Sequence, residues 1–98
     1  METRTYTAQF EVGERVKVSR PDYEIFYGKG AKHPLEGKTG TVLKVIFPGE
    51  ILYEFAGEGY TNGTGAIQYL VQLDVPKNGT TGRYHLSLKE LVKAEEND

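Results

Sequence analysis

The sequence predicts a small all-β barrel of about five strands, with a long first loop and at most one helical turn. Three observations lead to this prediction. Short apolar runs alternate with polar residues at the two-residue period of strands. Turns rich in glycine and proline separate those runs, and no segment keeps a helical period for more than a turn. The length of 98 residues suits one domain with a modest core.

The first strand is predicted within residues 10–18, where Val16 and Val18 alternate with Arg15 and Lys17. Residues 19–37 follow as a polar connection that is long for a compact domain, and such loops often carry function. A flap that merely covers one end of the barrel is the alternative. The aromatic and basic side chains concentrated in this loop are Arg20, Tyr23, Phe26, Tyr27, Lys29, Lys32 and His33.

The second strand is predicted over residues 38–47, after a tight turn that Gly37 and Gly40 permit, because glycine can adopt positive φ without steric cost. Pro48 and Gly49 end it. Residues 51–55 are predicted to form either a short strand or an apolar part of a longer irregular segment. Residues 56–65 contain four glycines and predict a flexible loop.

The third core strand is predicted over residues 66–74, and residues 75–82 form a hairpin connection around Asn78-Gly79. Residues 83–88 alternate again, with Tyr84, Leu86 and Leu88 expected to point inward. The spacing of Ser87 and Glu90 is that of a capping box and predicts a single helical or 3₁₀ turn at 88–91, before a last strand at 91–94.

The predicted domain organisation is a lead-in over residues 1–9, one barrel over 10–94 and an acidic tail over 95–98. Formal net charge is −2, yet residues 15–44 contain seven Lys or Arg against three Asp or Glu, which gives +4. Ordinary solvated charge explains such a segment as readily as a binding patch does. Because no apolar run approaches the roughly 20 residues of a membrane span, and because the N-terminus lacks a signal-peptide core, we expect a cytoplasmic protein.

Catalytic and metal-binding patterns are missing from the sequence. With no cysteine, disulfides, zinc-thiolate sites and thiol nucleophiles are excluded. His33 and His85 have no carboxylates at ligand spacing, and Ser19 and Ser87 lack a motif that would activate a nucleophile. We therefore expect no enzyme activity, no metal and no cofactor. Two Asn-Gly-Thr triplets, which start at residues 62 and 78, match the glycosylation pattern but are more simply turns.

Several motifs together resemble the SH3-like barrels of the translation-protein and KOW type. They are Phe10-x-Val12-Gly13-Glu14-Arg15-Val16-Lys17-Val18, His33-Pro34 in a long loop, Gly37-Lys38-Thr39-Gly40-Thr41-Val42, Tyr69-Leu70-Val71-Gln72-Leu73 and Leu88-x-x-Leu91. The order of these motifs along the chain is most similar to their order in the C-terminal barrel of nitrile hydratase β subunits. The helical N-terminal part of those subunits is missing here, and their metal-binding cysteines belong to the α subunit. The resemblance therefore implies a barrel that docks on another molecule, and no catalytic residue is carried over.

Two functions fit these observations, and a third is compatible with them. The first is a non-enzymatic binding module or accessory subunit that docks on a larger protein through the 19–37 loop. The second is an RNA- or DNA-binding barrel of the KOW type, in which Tyr23 or Tyr27 would stack on bases. In this second function the residues in contact with phosphate would be Arg15, Lys17, Arg20, Lys29, Lys32 and Lys38. The third function, a small inhibitor of a host protein, fits equally well.

Overall fold

The computed structural model describes residues 7–55, 58–76 and 78–95. The predicted lead-in and acidic tail therefore lie largely outside the described residues. The elements are β1 (Arg15–Val18), α1 (Tyr23–Tyr27), β2 (Thr39–Ile46), β3 (Ile51–Phe55), β4 (Glu58–Thr61), β5 (Gln68–Leu73), β6 (Arg83–Ser87), a 3₁₀ turn (Leu88–Glu90) and β7 (Leu91–Lys93).

The main sheet has five antiparallel strands in the order β6-β5-β2-β1-β7, and β3 and β4 form a separate hairpin. β2 is the central strand of the main sheet and pairs with both β1 and β5. A register shift between Val42 and Lys44 interrupts its pairing with β5. The predicted all-β class is confirmed, although the described residues form seven strands where the sequence predicted about five.

The core lies on one face of this sheet because the strands alternate. β5 shows the pattern most plainly, since Tyr69, Val71 and Leu73 are buried while the residues between them are half-exposed. Phe10 packs edge-on against Tyr69, with ring centroids 5.3 Å apart at 77°. The Tyr69 hydroxyl accepts a hydrogen bond from the Gln9 N–H at 3.0 Å, so the buried ring keeps a partner for its polar end.

Two predicted elements differ in the structure. The segment 56–65 was predicted to be a flexible loop, but residues 58–61 form β4 and pair with β3. Leu88 was predicted to point inward but is exposed, because the capping box of Ser87 and Glu90 starts the 3₁₀ turn there and ends the strand alternation. A second short helix, α1, also lies within the first loop, in addition to the helical turn that the sequence predicted.

The two glycines before β2 have different roles. Gly37 uses the freedom of glycine, since its φ is +83°, and its N–H donates to the Val18 carbonyl at 2.8 Å. Gly40 does not adopt a positive φ and is buried within β2. A Cβ at Gly40 would lie 2.5 Å from the Gln72 carbonyl oxygen, so its lack of a side chain lets β5 approach β2 closely.

Candidate binding site on the first loop

The first loop carries the short helix α1. The helix ends where Gly28 adopts φ +112° and its N–H donates to the Glu24 carbonyl at 2.9 Å. None of its residues is buried. Ile25, Phe26 and Tyr27 are 78%, 65% and 63% exposed, so three large apolar side chains in a row face solvent.

An aromatic cluster holds α1 in place. Tyr23 and Tyr27, one helical turn apart, stack with ring centroids 4.3 Å apart at 24°. Tyr23 also meets the His33 ring edge-on at 5.6 Å. The Arg20 guanidinium lies 5.5 Å from the centre of the Phe26 ring, within the range of a cation–π contact. The cluster therefore draws residues from both ends of the loop together.

His33 ties the loop to the 3₁₀ turn. Its Nδ1 accepts a hydrogen bond from the Leu35 N–H at 3.0 Å, so the ring proton is on Nε2 and is donated to Glu90 Oε2 at 2.6 Å. Burial acts to raise the pKa of Glu90, but hydrogen bonds from His33 and Ser87 outweigh it and leave that pKa below its ordinary value. Glu90 is consequently a carboxylate that joins the loop to the end of β6.

A groove of about 430 Å³ opens between α1 and the end of β6. Aromatic and aliphatic side chains form most of its walls, and His33 and Glu90 supply a paired polar patch. Such a surface suits an apolar group that carries a hydrogen-bonding end. The lining residues are Arg20, Tyr23, Tyr27, His33, Pro34, Leu35, Tyr84, Leu86 and Glu90.

The structure brings together five of the seven residues that were predicted to bind a partner. Lys29 and Lys32 lie beyond α1 and are exposed, and Lys32 lines a separate shallow pocket with Arg20, Glu24 and Glu36. Sequence reasoning missed six residues of this site. Alternation already placed Tyr84 inward and the capping box marked Glu90, but neither pattern connects these residues to the loop. The six missed residues are Ile25, Pro34, Leu35, Tyr84, Leu86 and Glu90.

The basic residues predicted to contact phosphate are divided among different surroundings. Arg15 forms a bidentate ion pair with Asp74, and its guanidinium also donates a hydrogen bond to Thr41 Oγ1 at 2.9 Å. Arg20 contacts the aromatic cluster and has its Nε 3.3 Å from Asp22 Oδ1. Lys38 is exposed beside Thr39 and Asp74. Arg15 and Arg20 are thus engaged with other residues of the molecule.

Within 7–55, 58–76 and 78–95, no three His, Asp or Glu side chains are grouped so that they could hold a metal ion. The same ranges contain no helix with the length and apolar character needed to cross a membrane.

Comparison with known proteins assigns the chain to no family. No protein-family model matches it, and neither the curated proteins nor the solved structures yield a match. The resemblance to SH3-like barrels of the KOW and nitrile hydratase type therefore stays a prediction.

Proposed function

We propose that this protein is a non-enzymatic binding module that docks on a larger protein through the 19–37 loop. The exposed apolar row of α1 carries the proposal. An amphipathic helix is usually stabilised by burial of its apolar face. α1 lacks this stabilisation, because it buries none of its residues and exposes Ile25, Phe26 and Tyr27. Contact with a partner would bury that row.

The surroundings of the row support docking. Aromatic and arginine side chains are the usual anchors of protein interfaces, and Phe26, Tyr27 and Arg20 are such residues. The link from His33 to Glu90 holds the loop against the sheet before a partner arrives, which lowers the entropic cost of binding. A cytoplasmic location and a role as an accessory subunit belong to the same proposal and are supported by the composition and the resemblance.

The test replaces two residues of α1 and compares them with a matched pair elsewhere. The double variant Ile25→Ser, Phe26→Ser should lose at least about tenfold in partner affinity, because two anchors typically contribute more than 1 kcal/mol each. Val12 and Val75 are 66% and 75% exposed and lie outside the loop, so Val12→Ser, Val75→Ser is the control. The wild type, the α1 variant and the control are each immobilised on a resin and incubated with native lysate, with and without nuclease. The captured proteins are then quantified by mass spectrometry.

The proposal holds if a stoichiometric protein survives nuclease and is captured by the control but not by the α1 variant. Equal capture by all three forms would contradict it. Loss of captured material on nuclease treatment would favour the RNA- or DNA-binding alternative, whose affinity should fall steeply with salt. If a partner enzyme is captured, its activity with and without this protein separates an accessory subunit from an inhibitor.

A further inference from the structure

Two Asn-Gly dipeptides that look alike in the sequence are placed in opposite environments by the fold. Asn62-Gly63 directly follows β4, and Asn62 is only 1% exposed. Asn78-Gly79 forms the turn between β5 and β6, and Asn78 is exposed. We propose that Asn78 is a site of spontaneous deamidation, with water as the only co-reactant, and that the fold protects Asn62 from the same reaction.

The reaction uses atoms that the turn already provides. The backbone nitrogen of Gly79 attacks Cγ of the Asn78 amide, the amide nitrogen leaves as ammonia with the proton of the attacking nitrogen, and a succinimide ring closes. Water then opens the ring at either carbonyl and leaves aspartate or isoaspartate. Glycine permits the attack because no Cβ crowds its nitrogen. Gly79 has φ +80°, and the space where a Cβ would stand is open.

Asn62 cannot start this reaction without breaking its hydrogen bonds. Its Nδ2 donates to the carbonyls of Ile46 at 3.1 Å and Ala66 at 2.7 Å. Its Oδ1 accepts from the N–H and the hydroxyl of Thr64 at 3.1 and 2.6 Å. Attack on Cγ requires the amide to rotate, which would break these four contacts and leave buried groups unpaired.

The asparagine side chains, and not the glycines, make the difference between the two sites. Gly63 is as open as Gly79, with no atom within 4 Å of the place of a Cβ. The Asn78 amide, in contrast, makes no hydrogen bond to any residue that the structure describes. Asn78 is therefore free to sample the attacking geometry while the sheet stays folded, whereas Asn62 must wait for local unfolding.

The test follows both sites in one molecule. The full chain is incubated at mildly alkaline pH below its unfolding transition, and a second sample is incubated in guanidinium chloride. Asparagine, aspartate and isoaspartate at each site are then quantified by digestion and mass spectrometry. In the folded protein, Asn62 should convert at least about a hundredfold more slowly than Asn78, since several hydrogen bonds must break first. In denaturant the two rates should be similar.

The variant Asn78→Gln keeps an amide but lengthens the side chain, and it should remove the acidic species that accumulate in the folded wild type. Equal rates at the two sites in the folded protein would overturn the proposal. So would an Asn78 that reacts only in denaturant, because the turn itself would then block the attack. Absence of conversion at both sites in denaturant would show that the chemistry is wrongly assigned.

Discussion

Among single residues, Asp74 contributes a pH-dependent link between β1 and the end of β5. Its carboxylate accepts hydrogen bonds from the Arg15 guanidinium and from the Thr39 hydroxyl, and these lower its pKa from 3.8 to about 2. Between those two values the unfolded chain binds more protons than the folded one. The stability that Asp74 contributes is therefore present above pH 3.8 and is lost as pH falls towards about 2.

Replacing Asp74 by Asn tests this link. We expect Asp74→Asn to lower the thermal midpoint at neutral pH by roughly 2–4 °C, a small effect because the pair is exposed and screened by solvent. Below pH 4 the wild type and the variant should converge. Circular dichroism melts from pH 7 to pH 2 measure both effects. Because Glu90 titrates in both proteins, it does not change the difference between them. Plots of thermal midpoint against pH that stay parallel through the acid range would therefore contradict the role given to Asp74.

Among the elements, the hairpin of β3 and β4 depends on Asn62. The Asn62 N–H donates to the Glu50 carbonyl at 2.7 Å, and its own carbonyl accepts from the Gly49 N–H at 2.9 Å. Its side-chain amide links the end of β2, at Ile46, to Ala66 before β5. One buried amide therefore fixes where the hairpin leaves the sheet and where the chain returns to it.

Truncation of Asn62 should therefore loosen the hairpin before the sheet. We expect Asn62→Ala to reduce the free energy of unfolding by roughly 2–3 kcal/mol, because the hydrogen bonds from its amide to the Ile46 and Ala66 carbonyls are lost and only Ala66 has a second side-chain donor, the Thr64 hydroxyl. Asn78→Ala is the matched control and should change stability by less than about 0.5 kcal/mol. Urea unfolding gives both values, and hydrogen exchange should accelerate first in β3 and β4. Equal destabilisation by the two substitutions would show that the Asn62 amide is not the anchor.

The elements differ in how far the sequence could predict them. Strict alternation of apolar residues predicted β5 within two residues of both its ends, because burial on one face selects that pattern. It predicted the end of β1 at residue 18, but β1 begins only at Arg15, five residues after the start of the predicted range 10–18. β4 and α1 carry no such pattern. β4 forms because it pairs with β3, and α1 is held by ring contacts and ends at Gly28. The sequence could therefore locate the loop but could not assign its helix.

At the scale of the whole molecule, the candidate site depends on contacts that are distant in sequence. The aromatic content of residues 19–37 predicted where the site begins, but His33 and Glu90 are 57 residues apart. No local sequence pattern predicts that the 3₁₀ turn lies beside the first loop in the fold. The Ser19 N–H donates to the Glu90 carbonyl at 2.9 Å, so both ends of the loop meet the same turn.

The same contacts make the C-terminal half of the loop part of the core, whereas α1 stays outside it. Leu35 is 6% exposed and belongs to the core cluster with Val18, Leu86 and Leu91. The 19–37 loop is therefore both a covering segment, through Leu35, and an exposed surface, through α1. We expect core truncation at Leu35 to destabilise the sheet, and α1 substitutions to leave its stability nearly unchanged.

Leu35→Ala should lower the free energy of unfolding by roughly 2–4 kcal/mol, since it leaves a cavity beneath the loop. Leu43→Ala is the control, because Leu43 is 38% exposed on β2 and should lose less than about 1 kcal/mol. Urea unfolding followed by circular dichroism gives both values. A single transition with an unchanged slope would show that loop and sheet unfold as one cooperative unit. A Leu35→Ala variant as stable as Leu43→Ala would mean that the sheet does not need the loop, and that the whole of 19–37 is available for partner contact.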